Sequence, residues 1–309
     1  MNPKAADVLH RLDKAGLQGR IVPIKRVKDV GSDILSLKDG DLLDQELYDM
    51  YLAKYRYAPP DSLPSALSLI IVAVPTTGTK VTFCHAGKEY RCTVPPTYAD
   101  ANIIDKKVRT LLEEALLECR VVKAIVPYKT LATRTGLAKY GRNNIAYAGN
   151  FGSFHRLTAF FTEADLETDQ WQEREVMPEC DDCDLCLKAC PTGAIRKDRF
   201  LLEADRCLTF HNEMPGERAF PPRIKRSAHH AIVGCMRCQE ACPMNRGHLG
   251  SFSEGGVFSE EETDYLLKGD YQNDDAEEIM EKLEVFGLDL SIFPRNLIAL
   301  LGEHIDRPL

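Results

Sequence analysis

The chain has no long apolar run. Nowhere do about 18 uninterrupted apolar residues follow one another, which a membrane-spanning helix requires. Its first residues, Met1-Asn2-Pro3-Lys4-Ala5-Ala6-Asp7, hold neither an apolar core nor a twin-arginine pair, so the sequence predicts a cytoplasmic protein without a membrane partner. Positive charge is in deficit, with 39 Lys and Arg against 47 Asp and Glu, a net charge of −8. That balance argues against a nucleic-acid partner, whose phosphates need clustered cations. The local exception, Arg218, Arg223, Lys225 and Arg226, reads as a solvated face. A G-x-G-x-x-G dinucleotide fingerprint is also missing, because Gly136-Leu-Ala-Lys-Tyr-Gly141-Arg-Asn-Asn144 spaces its glycines differently and reads as a tight connection.

What is abundant is cysteine. There are eleven, and eight of them fall between Cys180 and Cys242. Tight spacing in a chain without export features points to metal rather than disulfides. The first set is Cys180-x2-Cys183-x2-Cys186-x3-Cys190-Pro191, the bacterial ferredoxin spacing, whose fourth cysteine serves the neighbouring cluster. The second, Cys235-x2-Cys238-x3-Cys242-Pro243, is one cysteine short, and the isolated Cys207 supplies the missing ligand. Eight thiolates suit two [4Fe–4S] clusters. The spacing assigns Cys180, Cys183, Cys186 and Cys242 to one, and Cys190, Cys207, Cys235 and Cys238 to the other. Zinc sites also use C-x2-C pairs, but two such sets in succession fit cubanes better than isolated tetrahedral ions. Cys84, Cys92 and Cys119 have no ligand spacing and read as structural.

Along the rest of the chain, Asp7 to Lys14 reads as an amphipathic helix and Leu67 to Val74 as a buried strand stopped by Pro75. Apolar residues from Ile103 to Cys119 recur at helical spacing, with Asp100 or Asn102 as the cap. Val121 to Val126 and Leu157 to Thr162 read as further strands, and Trp171 to Pro178 as a linker. The expected fold class is α/β (α+β). A mixed-sheet α/β domain over residues 1–170 is followed by a ferredoxin-like two-cluster module over 171–250. A helical tail over 251–309 ends in the Leu-rich Asn296 to Leu301.

The order of motifs from about Tyr98 to Asn245 resembles epoxyqueuosine reductase and, more distantly, the reductive dehalogenases, both cobalamin-dependent families. Its carriers are Leu131 to Asn144 (LATRTGLAKYGRNN), Asn150-Phe-Gly152-Ser153, Cys180 to Ile195 (CDDCDLCLKACPTGAI), Cys207, and Gly234 to Asn245 (GCMRCQEACPMN). The resemblance implies a cobalamin lined by Gly136, Lys139, Gly141, Arg142, Asn143, Gly152 and Ser153 and reduced through the nearer cluster. Glycines there would let backbone approach a flat macrocycle. The family's acidic proton donor is unmatched, because Val121 to Tyr128 (VVKAIVPY) holds no carboxylate. Tyr128 and Tyr98 are the substitutes, with Lys139 or Arg142 as a neighbouring cation, although a buried aromatic with a bonded hydroxyl is the commoner use of such a tyrosine. His155 follows the Gly152-Ser153 loop, and His211, His229 and His230 lie where they can tune a cluster.

Two functions remain at this point. One is a cobalamin-dependent reductase, fed by a low-potential donor of ferredoxin or flavodoxin type and acting on a small molecule. The other is a non-catalytic electron carrier, or a reductive partner for another protein. The first is favoured because a plain ferredoxin needs no preceding α/β domain.

Overall fold

A computed structural model describes residues 2–98, 100–250, 252–269, 271, 279, 282 and 290–302. In chain order its main elements begin with α1 (Pro3–Lys14), β1 (Gln18–Pro23), α2 (Arg26–Asp39), α3 (Gln45–Leu47), β2 (Ser68–Pro75), β3 (Thr79–His85) and β4 (Lys88–Val94). Next come α4 (Ala101–Ala115), β5 (Val121–Lys123), α5 (Tyr128–Arg134), β6 (Lys139–Tyr140), β7 (Ala146–Tyr147) and β8 (His155–Thr162). The cysteine-rich stretch carries α6 (Leu185–Ala189), α7 (Leu208–Asn212) and α8 (Arg237–Glu240), and β9 (Ser253–Phe258), α9 (Glu260–Lys268) and α10 (Phe293–Leu301) follow. These elements fall into two compact units: Met1–Pro75 with Ala101–Cys183 and Lys197–Leu201, and Thr76–Asp100 with Asp184–Arg196 and Leu202–Leu309. The units are thus interleaved in sequence, whereas composition suggested three consecutive blocks.

The first unit is built on a four-stranded sheet of order β1-β2-β8-β5, antiparallel throughout. Seven consecutive residues of β2, Ser68 to Val74, are buried, because helices cover both faces. Leu69, Ile71, Ala73, Ala159 and Phe161 share a core with Val27 and Val30 of α2 and Leu131 and Ala132 of α5. The alternate residues point the other way. Gly19 lies so close beneath α1 that a Cβ there would stand 2.5 Å from Leu12 Cδ1. β5 is shorter than the sequence suggested, ending at Lys123, with Pro127 preceding α5. Trp171, expected in a linker, packs on the core, with the guanidinium groups of Arg26 and Arg134 5.1 and 5.6 Å from its ring centre.

A three-stranded mixed sheet of order β4-β3-β9 anchors the second unit. β3 and β4 form a hairpin closed by Ala86 and Gly87, both at positive φ, the geometry that matches the right-handed twist of paired strands. β9 joins β3 in parallel and stacks Phe258 on Phe83 at 4.8 Å. The stretch after residue 251, expected as a helical tail, thus opens with a strand before its helices. Val257 and Phe258 give that strand its β character, and Gly255 fits directly against the Lys80 carbonyl. A Ser259–Glu262 capping box then starts α9. α10 buries Phe293, Leu297 and Leu301 in the same core as Val81, Phe83 and Cys92. Much of the stretch from 270 to 289, and residues 303–309, lie outside the described residues.

Candidate iron–sulfur centres and the adjoining glycine turn

Cys190, Cys207, Cys235 and Cys238, which the spacing groups together, all belong to the second unit, and their thiols feel one another's charge. Burial pushes Cys207 up, and Cys235 up to about 12. Cys238 rises well above the ordinary thiol range, from burial first and then from the charges of Cys235, Cys207, Cys190 and Cys186. Cys190 differs. Burial raises it, but hydrogen bonds from the Thr192 amide and hydroxyl and from the Ala194 and Ile195 amides outweigh that, and its pKa is lowered. The Ala194 amide lies 3.3 Å from its sulfur. Gly193, at φ +66, bends the Pro191-Thr-Gly-Ala194 stretch so that these amides face inward.

The loop ahead of Cys235 is held from beneath. Gly234 sits at φ +61, and a Cβ there would stand 2.7 Å from Pro95 Cγ and 2.8 Å from Tyr98 Cε2. Nδ2 of Asn212 donates to the Gly234 carbonyl at 2.9 Å, and Nδ2 of Asn296 donates to the Ile232 carbonyl at 2.7 Å. His230 Nδ1 donates to the Ala228 carbonyl at 2.7 Å, with Nε2 3.5 Å from the Cys235 sulfur. His211 bonds the Asp205 carbonyl through Nε2, and His229 lies edge-on to Phe220 at 4.4 Å. Among the described residues no three His, Cys, Asp or Glu side chains gather tightly enough to hold a single metal ion. The donors that do associate are thiols, three of them (Cys190, Cys207 and Cys235) met by backbone amides, which suits thiolate ligands of a cluster.

In the first unit, Cys180 meets the glycine turn. β6 and β7 form a small hairpin whose loop, Gly141 to Ile145, is closed by the Gly141 amide donating to the Ile145 carbonyl at 2.8 Å. The next amide, of Arg142, donates to the Cys180 sulfur at 3.4 Å. The Arg142 guanidinium donates to the Cys180 carbonyl, and to that of Asp181 at 3.3 Å, while its buried Nε has no hydrogen-bond partner. The other resemblance-derived residues are placed differently. Asn143 is buried, with Nδ2 donating to the Tyr147 hydroxyl at 2.9 Å, and Lys139 is paired with Glu175 at 2.7 Å on the exposed side. Gly136 and Gly152 have φ +67 and +55, backbone that glycine adopts freely, and Ser153 is buried. His155 Nδ1 donates to the Gly152 carbonyl at 3.1 Å, and burial pushes its pKa down to about 4.

The two tyrosines are committed to partners. Tyr128, in the first unit, donates to the Ala124 carbonyl at 2.7 Å, and burial raises its pKa. Tyr98, in the second, donates to the Glu213 carboxylate. Sequence reasoning missed a polar group beside Tyr128. Lys123 Nζ lies 2.5 Å from Asp105 Oδ1 and 2.5 Å from Thr158 Oγ1, and 5.3 Å from the Tyr128 ring centre. Burial lowers the Lys123 pKa despite the hydrogen bond and charge of Asp105. It also missed the bidentate pair of Arg134 with Asp33, at 2.6 and 2.7 Å. The signal for that pair was present, because Asp33 lies on the same helical stripe as Val27, Val30, Ile34 and Leu37.

Comparison with known proteins agrees with this geometry. Residues 179–245 match the 4Fe-4S double cluster binding domain. Epoxyqueuosine reductase of Synechococcus sp. (strain RCC307) is 32% identical over 162 residues, 50% of this chain and 48% of that one. The Bacillus subtilis (strain 168) enzyme is 25% identical over 233 residues, 69% of this chain and 57% of its own. The chain spans about half the length of these curated relatives. Among solved structures, a selenomethionine-labelled epoxyqueuosine reductase superposes with a TM-score of 0.67 at 19% identity, covering 96% of this chain and 80% of that one. Another, determined with an epoxyqueuosine-modified tRNA-Tyr stem loop, gives a TM-score of 0.61 at 20% identity with the same coverage. The chain is thus epoxyqueuosine reductase-like in sequence and fold, and its residues 179–245 form a double 4Fe-4S cluster binding domain.

Proposed function

We propose that the protein is a cobalamin-dependent iron–sulfur reductase that passes low-potential electrons through two clusters to a corrinoid and thence to a substrate. The reading rests above all on the hydrogen bond from the Arg142 amide to the Cys180 sulfur, which joins the glycine turn to a cluster cysteine. Hydrogen bonds to cluster sulfurs set reduction potentials, so a residue in this turn bears directly on the neighbouring cluster. By spacing, Cys180, Cys183, Cys186 and Cys242 hold that cluster, and Cys190, Cys207, Cys235 and Cys238 the second.

Gly152, at a positive φ that glycine adopts freely, gives the corrinoid backbone to lie against, while the Cβ side of Gly136 is filled by the Gln172 side chain. Bound there, a corrinoid supplies a reducible cobalt. Arg142 fixes the Cys180 segment through two backbone carbonyls. Lys139 and Asn143 serve the turn itself, one from outside and one from within. Tyr128 orients the segment after β5 by holding the Ala124 carbonyl, so its phenol stabilises structure more readily than it gives up a proton.

The net charge led to the expectation of a small-molecule substrate and no nucleic acid. A relative of the same fold in complex with a modified tRNA stem loop runs against both, because a local basic face binds phosphate whatever the sum over the chain. A modified tRNA therefore enters the test as a substrate. The non-catalytic carrier is the weaker reading, since the likeness to reductases extends over the whole α+β body.

The test is the cobalt EPR spectrum of cob(II)alamin, with and without the anaerobically reconstituted protein, followed by turnover assays with an epoxyqueuosine stem loop. A stoichiometric base-off signal is expected. A free-cobalamin spectrum beside two intact clusters would overturn the reading.

A further inference from the structure

The second unit carries a basic face in an otherwise acidic chain. Between residues 215 and 226 four cations, Arg218, Arg223, Lys225 and Arg226, stand against the single carboxylate of Glu217, a local balance of +3 where the whole chain sums to −8. All four cations are exposed. Beside them opens a cavity of about 460 Å³ lined by Phe220, Ile224, Arg226, His229, Pro294 and Arg295. Arg295 is fixed there by donating to the carbonyls of His211, Pro215 and Arg218 at 2.9 Å each, and its guanidinium lies 4.6 Å from the Phe220 ring centre.

This face is tied to the cysteines. Arg223 donates to the Asp205 carbonyl at 2.7 and 3.0 Å, two residues before Cys207. Ile224 and Ala228 form one small core with Leu208, and Cys235 packs against it. Cations carried by a segment tied to the Cys207 and Cys235 stretches suit a partner that must approach that cluster. A nucleic acid has no such need of the second cluster.

We infer that the face formed by Arg218, Lys225, Arg226 and the Phe220–Arg295 cavity is the docking site of a small acidic one-electron carrier protein. The proposal rests on the cluster relay of the function proposed above, and only on that part of it. Docking places the carrier beside the Cys207 and Cys235 side of the second cluster. One electron then leaves the carrier, for a flavodoxin the anionic flavin hydroquinone becoming the neutral semiquinone, and the cluster is reduced by one electron without proton uptake. The cations steer the encounter and the cavity takes an apolar side chain from the carrier's rim. A modest interface of this kind releases its partner quickly after transfer.

The experiment uses the full chain with both clusters reconstituted. Oxidised flavodoxin is titrated in by calorimetry, and cluster bleaching by photoreduced flavodoxin is followed by stopped flow. Wild type is compared with the Arg218→Glu, Lys225→Glu, Arg226→Glu triple variant at low and high salt. Affinity and second-order rate are expected to fall at least tenfold in the variant at low salt, and the difference to shrink at high salt. Iron content and reduction by titanium(III) citrate should stay unchanged, which shows that the variant is folded and loaded. Equal binding by both proteins would overturn the proposal. So would flavodoxin failing to bind wild type while a tRNA stem loop binds it and is lost from the variant. A missing base-off cobalamin signal would leave this result standing, so the two readings fail separately.

Discussion

The two units satisfy their buried backbone in opposite ways. In the first, β2 is bonded on one side to β1 and on the other to β8, so the most deeply buried segment needs nothing from side chains. In the second, the loops that carry cysteines are irregular, and side-chain amides do that work. Asn212 serves Ala231 and Gly234, Asn245 serves Gln239, and Asn296 reaches from α10 to Asn212 and Ile232. Regular structure makes a sheet tolerant of side-chain identity as long as it is apolar. A cluster loop, whose backbone must turn its amides toward sulfur, depends on particular polar residues far away in sequence.

Four experiments probe that contrast. The largest effect is expected from Cys207→Ser, which removes a ligand lying outside both cysteine repeats. About half of the bound iron should be lost and one of two EPR signals should disappear. Full iron retention would remove Cys207 from the ligand set. Next, Asp33→Ala in the first unit removes the buried partner of the Arg134 guanidinium and leaves it the exposed Glu173 carboxylate and the Gln172 carbonyl. Denaturant unfolding should show a loss of about 3–5 kcal/mol with both cluster signals intact. In the second unit Asn296→Leu removes the Asn296 amide from the Ile232 carbonyl and leaves the Asn212 carbonyl with the longer bond from Arg295 at 3.3 Å. A loss of about 2 kcal/mol is expected, accompanied by a changed signal from the second cluster only. A loss below about 0.5 kcal/mol would mean that the amides are dispensable and the contrast false.

The smallest effect concerns pH. His155 is held neutral by burial, with its pKa lowered from 6.5 to about 4. Between these values the unfolded chain binds the proton and the folded chain does not, so stability rises with pH across that window. Going from neutral pH down to about 6, this one group should withdraw roughly 0.7 kcal/mol. His155→Asn keeps a donor for the Gly152 carbonyl and should flatten the slope. An unchanged slope would place the titration elsewhere, with His229, also lowered to about 4, as the next group to replace.

How much was legible in advance depends on the range of each interaction. The cysteine repeats could be read because their chemistry is set by spacings of two and three residues. The expectation that Cys207 joins the second group rests on the count of eight alone, and Cys207→Ser tests it. β2 announced itself as an unbroken apolar run, and α4 by its period. The parallel pairing of β3 with β9 was hidden, because it joins segments about 170 residues apart and the intervening turns carry no trace of it. Arg142 was singled out by resemblance as a pocket residue, but its contact with Cys180 spans 38 positions and is visible only in the fold. For Tyr98 and Tyr128, sequence named the residue type without the partner. Each hydroxyl is occupied, one by a carboxylate and one by a backbone carbonyl.

The amide nest around Cys190 bears on how the protein is matured. Of the four thiols in its group it alone has a lowered pKa, while burial raises those of Cys207, Cys235 and Cys238. Thiols bind metal as thiolates, so filling this group with iron displaces protons from its cysteines. Loading of that group with iron is therefore expected to weaken as the pH falls.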